Sequence, residues 1–370
     1  MDRSAGRSNK RNPKKPSSDL TEAAVLEALS HVKHPEMEAH DLVKLGMVSA
    51  VSIEDQRVVV TLSLPFPKIP IRDQLVQMVQ EAVAKLDPGA KVEIDIRKMT
   101  PEQRAAFSAI SQGRDPSKEG KRQVQNVVAV MSGKGGVGKS SVAGLLACAL
   151  RKRGLRVGIL DADITGPSIP RLFGSTAKPL GSSEGIQPPS TKTGIKLMSI
   201  NLLLPDEDQP VIWRGPLIGR AIQQFWSDIA WGALDYLIID LPPGTSDAAL
   251  TVMQSLPVHG VVLVTSPQDL AGMVVRKAAN MGNSLGIPIL GLVENMSHLI
   301  CPQCGMRIEL FGPSRASETA EVAGARLLGS LPLDPQFAVM CDDGEIETYD
   351  SEALEPILDQ ALNQLAGSRG

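Results

Sequence analysis

Residues 133–140 read Gly-Lys-Gly-Gly-Val-Gly-Lys-Ser, a full match to the spacing G-x-x-x-x-G-K-S/T. That spacing has a direct chemical use. Glycines let successive backbone N–H groups turn inward around phosphate oxygens, and a helix that starts there points its positive end at them. Lys139 is placed to neutralise the β- and γ-phosphates of a nucleotide, and the Ser140 hydroxyl to ligate Mg²⁺. Gly133, Lys134, Gly135, Gly136, Val137, Gly138, Lys139, Ser140 and Ser141 form the expected nucleotide-binding set. One lysine suffices for such a loop, so Lys134 is left without a task there and is expected to point away from its own nucleotide.

Carboxylates stand where the loop needs them. Asp161 and Asp163 lie in "GILDADITGPS" and Asp240 in "YLIIDLPPG", each after an apolar run that reads as a strand. The carboxyl ends of parallel strands line the ligand crevice of such sheets. Asp240 is expected to hold Mg²⁺, directly or through water. Pro242-Pro243-Gly244 after it reads as a switch loop.

A second chemistry is written in "LICPQCGMRIELFG", where Cys301 and Cys304 are spaced C-x-x-C. Pro302 and Gly305 favour a knuckle that aims both thiolates at one point. A tetrahedral zinc or a cubane cluster each takes about four protein ligands, and one chain offers two here. Cys148 falls in the helix after the phosphate loop and reads as core, and Cys341 lies in an acidic segment, either packed or joining the pair. A symmetric dimer resolves the shortage, since two chains bring two thiolates each to the two-fold axis. A zinc site of the same geometry and a redox C-x-x-C are the alternatives.

These residues need a scaffold. From Val124 on, Val/Ile/Leu runs alternate with helical segments, among them "NVVAVMS", "RVGILDAD", "DYLIIDLPPG", "HGVVLVTSP", "IPILGLVEN" and "ARLLGSLPLD". Continuous apolar runs are the mark of strands buried on both faces. They predict an α/β fold, a doubly wound and mostly parallel sheet over 124–370, with 175–192 as a surface excursion. Residues 18–100 predict a small α+β domain: helix, two strands, helix, strand. Residues 101–123 are polar and charged and read as a linker with at most a turn or two of helix. Residues 1–17 hold six Lys or Arg against one acid and read as a disordered basic tail.

The 370-residue chain is 42% hydrophobic with only 3% aromatic residues and a formal net charge of −3. Its core must therefore rest on aliphatic side chains. Outside the tail no basic stripe suits nucleic acid, no run reaches membrane-spanning length, and four cysteines fit a reduced, cytoplasmic setting.

The motif Gly133–Ser140 resembles the deviant phosphate loop of the ParA/MinD/nitrogenase-iron-protein class. Together with "DADITGPSIPRLFG", "WRGP" at 213–216, "DYLIIDLPPGTSD" and "CPQCG", it resembles the Mrp/ApbC-type iron–sulfur cluster carriers of that class. Residues 20–100, through "HPEMEAHDLVKLGMV", resemble the iron–sulfur-assembly-related small domain often fused in front of them. The resemblance implies a slow, Mg-dependent ATPase. In it, Lys134 reaches the partner's nucleotide, Asp163 orients or deprotonates the attacking water, Asp161 supports the metal site, and Asn295 contacts adenine. It implies a homodimer that holds a 4Fe–4S cluster on Cys301 and Cys304 of both chains and passes it to apoproteins, alongside other assembly factors. Neither nucleic acid nor membrane is an expected partner. A ParA/MinD-like positioning ATPase is the competing reading. Where relatives often carry a Cys-Pro near the end of the first hairpin, Ile69-Pro70 stands here, so the small domain is expected to dock rather than to ligate.

Overall fold

The computed structural model describes residues 20–54, 57–65, 71–111, 124–164, 166–182, 185–204, 215–268 and 271–368. The basic tail, Ile69-Pro70 and the Trp213-Arg214 half of "WRGP" lie outside them. The chain divides into two units, Met1–Met99 and Thr100–Gly370.

In the first unit a helix, α1 (Glu22–Leu29), precedes strands β1 (Val48–Glu54) and β2 (Arg57–Leu64), helix α2 (Arg72–Leu86) and strand β3 (Lys91–Lys98). Thr21 caps α1 through its side chain. The strands β1 and β2 pair antiparallel, and β3 lies parallel to β2. Leu75, Val79 and Val83 recur at helical spacing in α2 and are buried, as are Val25 and Leu29 of α1 and Val58, Val60 and Leu62 of β2. Between α1 and β1 the chain makes a short antiparallel ribbon, Lys33–His34 with Met37–Asp41.

The second unit opens on a correction. Of the residues expected to be linker, the first eleven form a helix, α3 (Pro101–Ser111), and 112–123 lie outside the described residues. A reciprocal cap starts it: Gln103 N–H donates to Thr100 Oγ1, and Thr100 N–H donates to Gln103 Oε1. Strand β4 (Val124–Ser132) then leads through the phosphate loop into α4 (Lys139–Lys152). The other elements of the sheet and its cover are β5 (Val157–Asp161), β6 (Lys196–Met198), α5 (Gly215–Ser227), β7 (Leu234–Asp240), α6 (Asp247–Ser255), β8 (Gly260–Thr265), α7 (Ala271–Ser284), β9 (Ile289–Glu294), α8 (Ala316–Val322), β10 (Leu327–Ser330) and α9 (Leu354–Gly367).

These strands form one seven-stranded sheet in the order β6-β5-β7-β4-β8-β9-β10, and every pairing in it is parallel. All six apolar runs read as strands are in it. The seventh, β6, is a three-residue edge strand with no such run, and the expected excursion at 175–192 carries a small antiparallel hairpin, Leu180–Ser182 with Gly185–Gln187. Helix α4 is buried from Val142 to Leu150, and α9 adds Leu354, Ile357, Leu358, Ala361 and Leu365 to the same aliphatic core. No helix among the described residues is long and apolar enough to cross a membrane.

Candidate functional site

The phosphate loop follows β4, the middle strand of the sheet, and the backbone of two glycines shapes it. Gly136 has φ 78° and Gly138 φ 77°, a region that favours glycine. At Gly138 space adds to the constraint, since a Cβ there would stand 2.1 Å from Asn295 Nδ2. Gly138 is also the residue that precedes α4 as its N-cap.

Lys139 and Asp240 are 6% and 0% exposed, and Lys139 Nζ donates to Asp240 Oδ1 at 2.5 Å. The Ser140 hydroxyl donates to the other oxygen, Oδ2, at 2.5 Å. Parallel pairing of β5 and β7 sets Asp161 directly beside Asp240. Burial first, then the Asp240 charge, pushes the Asp161 carboxyl up to about 8. Burial raises Asp240 as well, against the pull of Lys139. Two buried carboxylates thus face one ammonium. Hard oxygen donors on Ser140 and Asp240 are the chemistry that Mg²⁺ takes, and its charge would relieve the crowding of negative charge. The donor set fits that ion.

Asp161 itself is engaged with its own loop. Oδ1 accepts from Asp163 N–H at 3.1 Å, and Oδ2 accepts from Ser168 N–H at 3.0 Å and Ile169 N–H at 3.1 Å. It holds the turn that presents Asp163, whose Oδ1 accepts from Gly166 N–H at 3.3 Å. Gly244 N–H donates to Ser132 O at 2.9 Å, which ties the Pro242-Pro243-Gly244 loop to the end of β4.

Lys134 leaves the loop. It is half-buried and donates to Gln268 Oε1 at 2.5 Å, beyond the end of β8. Asn295 sits on the loop, 8% exposed, and donates Nδ2 to Val137 O at 3.0 Å. Its amide therefore braces the phosphate loop, a contact that sequence reasoning did not supply.

Cys301 and Cys304 stand at the tip of a hairpin, Leu299–Ile300 paired antiparallel with Arg307–Ile308. Cys301 N–H donates to Met306 O and Gly305 N–H to Cys301 O, both at 2.9 Å. Gly305 has φ 70°, so glycine suits the closing turn. The N–H groups of Cys304 and Gln303, then the Cys304 thiol, donate to Cys301 Sγ and lower its pKa, which favours the ligating thiolate. Cys304 is exposed, and so are Ile300, Met306, Leu310 and Phe311 around it. Among the described residues no group of three or more His, Cys, Asp or Glu is arranged to hold a metal. Burial pushes the Cys148 thiol up to about 12 and the Cys341 thiol up to about 11, values of packed rather than ligating cysteines.

Sheet order, phosphate loop and strand-end carboxylates define a P-loop nucleotide-binding protein. Residues 123–366 match the family model described as "ParA: NUBPL iron-transfer P-loop NTPase", and residues 22–96 match "Iron-sulfur cluster assembly protein". The chain belongs to this iron-transfer P-loop NTPase family, with the assembly-type domain in front. It is similar to an "Iron-sulfur cluster carrier protein" of Synechocystis, 41% identical over 358 residues, covering 94% of this chain and 98% of the relative. A protein of the same description from Methanocaldococcus jannaschii is 43% identical over 258 residues, 68% of this chain and 89% of that one. Among solved structures, a nucleotide-binding protein from Archaeoglobus fulgidus in complex with ADP is 46% identical, with TM-score 0.57, covering 62% of this chain and 90% of that one.

Proposed function

We propose that this chain is a Mg-ATP-hydrolysing iron–sulfur carrier. Two copies hold one 4Fe–4S cluster between their Cys301 and Cys304 pairs and pass it to apo iron–sulfur proteins. The observation that carries this reading is the cysteine knuckle: a half-buried Cys301, its thiolate favoured by neighbouring N–H donors, and an exposed Cys304 at the tip of one hairpin, half of a four-thiolate set. Four exposed apolar side chains around them suit burial against a second copy. The relatives named as cluster carriers and the ADP complex of the A. fulgidus protein support the same cargo and nucleotide.

In this reading Lys139 turns from Asp240 to the β- and γ-phosphates, leaving Ser140 and Asp240 to hold Mg²⁺, which supplies charge neutralisation to the phosphates. Asp161 supports that site by fixing the turn 163–169. Asp163 orients the attacking water and takes its proton as the bond from the γ-phosphorus to the β–γ bridging oxygen breaks and ADP leaves with the electron pair. Lys134 swings from Gln268 to the partner's nucleotide, adding charge where it develops. The Asn295 side chain contacts adenine while remaining against the loop. Hydrolysis thereby requires the dimer, and in the absence of a separate activating protein is slow, on the order of 10⁻³ to 10⁻² per second. The setting is cytoplasmic.

The test is anaerobic reconstitution with iron and sulfide, followed by incubation with an apo 4Fe–4S enzyme. Wild type is expected to load iron and restore acceptor activity, and Cys301→Ala/Cys304→Ala to do neither. One zinc and no iron per dimer would replace the cluster reading with a structural-zinc one.

A further inference from the structure

The stretch between the phosphate loop's contacts and the cysteine hairpin is four residues long, and its bonds run to both. Asn295 donates to Val137 O, and Met296 Cε lies 3.5 Å from where a Cβ on Gly138 would stand. Asn295 thus rests on the phosphate loop, and the Met296 side chain lies beside Gly138. Their neighbours hold the roots of the hairpin. Glu294, 1% exposed, accepts from the Ser314 hydroxyl at 2.9 and 2.8 Å and from the Ser330 hydroxyl at 3.0 Å. Ser314 lies between the hairpin's second strand, which ends at Ile308, and α8, and its Oγ accepts from Ala316 N–H as that helix begins. On the other side, Ser297 donates both its N–H (3.0 Å) and its hydroxyl (2.9 Å) to Leu331 O, and Leu331 N–H donates to Glu294 O at 2.8 Å. The hairpin starts two residues after Ser297, at Leu299.

Met296, between these pins, has φ 57°, and no other non-glycine residue among those described has a positive φ. A side chain is held in this region only when its surroundings impose it, and such positions cluster at clamps and switches. Here the imposing contacts are the phosphate loop on one side and the Leu331 bridge on the other. Relaxing Met296 to negative φ rotates the following peptide and takes the Ser297 N–H off Leu331. Two arrangements of this segment, one with and one without the Ser297–Leu331 bond, would make it a coupling element.

We propose that Glu294–Ser297 is the positioning element through which the nucleotide at the phosphate loop sets the geometry of Cys301 and Cys304. This rests on the carrier reading for its purpose, but its test does not need a cluster. The metal-free full chain is treated with iodoacetamide, with and without Mg-ADP, and alkylation of Cys301 and Cys304 is followed by peptide mass. In wild type, nucleotide is expected to change the rate by about fivefold or more, the lower end of ordinary coupling between sites. Met296→Gly removes both the strained φ and the side chain on Gly138, and the ratio should fall toward one. Ser314→Ala cuts the Glu294 tie on the side away from the nucleotide. It should lower the ratio while ADP affinity holds, and an exposed position for Ser314 keeps the fold intact enough that the test survives if the glycine variant does not fold. A wild-type ratio of one, or an unchanged ratio in a folded Ser314→Ala, overturns the proposal. Failure to load iron with the ratio intact would sink the carrier reading and leave this one standing.

Discussion

Lys139, Ser140 and Asp240 make a closed triangle, and its energetics decide what single substitutions do. The Lys139–Asp240 pair is almost fully buried. Removing the ammonium leaves a buried carboxylate uncompensated, a loss on the order of 3 kcal/mol. Lys139→Ala is therefore expected to abolish nucleotide binding in a titration and to lower the melting temperature in the same preparation. Gly138→Ala combines a positive φ with a Cβ at 2.1 Å from the Asn295 amide, strain of about 1–3 kcal/mol for the backbone alone. It should weaken ADP binding tenfold or more, on the order of 1.4 kcal/mol per tenfold; unchanged affinity would mean that the Asn295 contact is not part of the binding-competent loop. Lys134 is the opposite case, half-buried and bonded to the neutral Gln268. Lys134→Ala should keep most of the ADP affinity and lose about 10²-fold or more in turnover, as removal of one transition-state donor does.

Among the elements, α3 departs most from expectation and carries a pH signature. Glu102 Oε1 meets His259 Nε2 at 2.9 Å, while His259 Nδ1 accepts from Val127 N–H at 3.0 Å. Hydrogen bonding to His259 lowers the Glu102 pKa from 4.5 to about 2. A depressed carboxyl contributes stability that is fully present above its unfolded value and lost as pH falls through the folded one. Acid unfolding of Glu102→Gln should therefore differ from wild type above about pH 4.5 and converge toward pH 2. The half-exposed carboxylate keeps the difference to about 1 kcal/mol or less. An equal difference at pH 2 and 7 would show that the bond is not the cause. The sequence hid this helix for a physical reason. Its anchoring contacts are polar, the Glu102–His259 pair and the 2% exposed Arg104, whose Nη1 donates to Leu285 O at 2.6 Å. Composition reads such residues as solvated linker. Continuous apolar strands such as "GVVLVT" were legible because burial on both faces demands them, whereas β6, three residues at the sheet edge, has too little pattern to read. In the candidate site, the motif spacing pointed to Lys139, Ser140 and Asp240, which the structure joins by hydrogen bonds, and to the cysteine pair on its hairpin. Gln268, Glu294 and Met296 carried no such signal, since their contacts come from distant loops brought together by the sheet.

For the whole molecule, the account turns on pairing. One chain offers two thiols outside its core, half of what the proposed cage takes, and its half-buried Lys134 bonds Gln268. Helix α9 bears on the competing reading of a membrane-positioning ATPase: its apolar residues are buried in the sheet's core, and Glu355 and Asp359 pair with Arg153. A face already covered is not available to lie on a bilayer, so anionic liposomes should not retain the protein in a flotation assay. The most direct measurement of the central claim is native mass spectrometry of the anaerobically reconstituted protein. The account predicts a species of two chains carrying four iron and four sulfide that falls to two bare chains or to monomers in Cys301→Ala/Cys304→Ala. A single chain carrying the full cluster, or a metal-loaded dimer in which the double substitution leaves the metal in place, would contradict it.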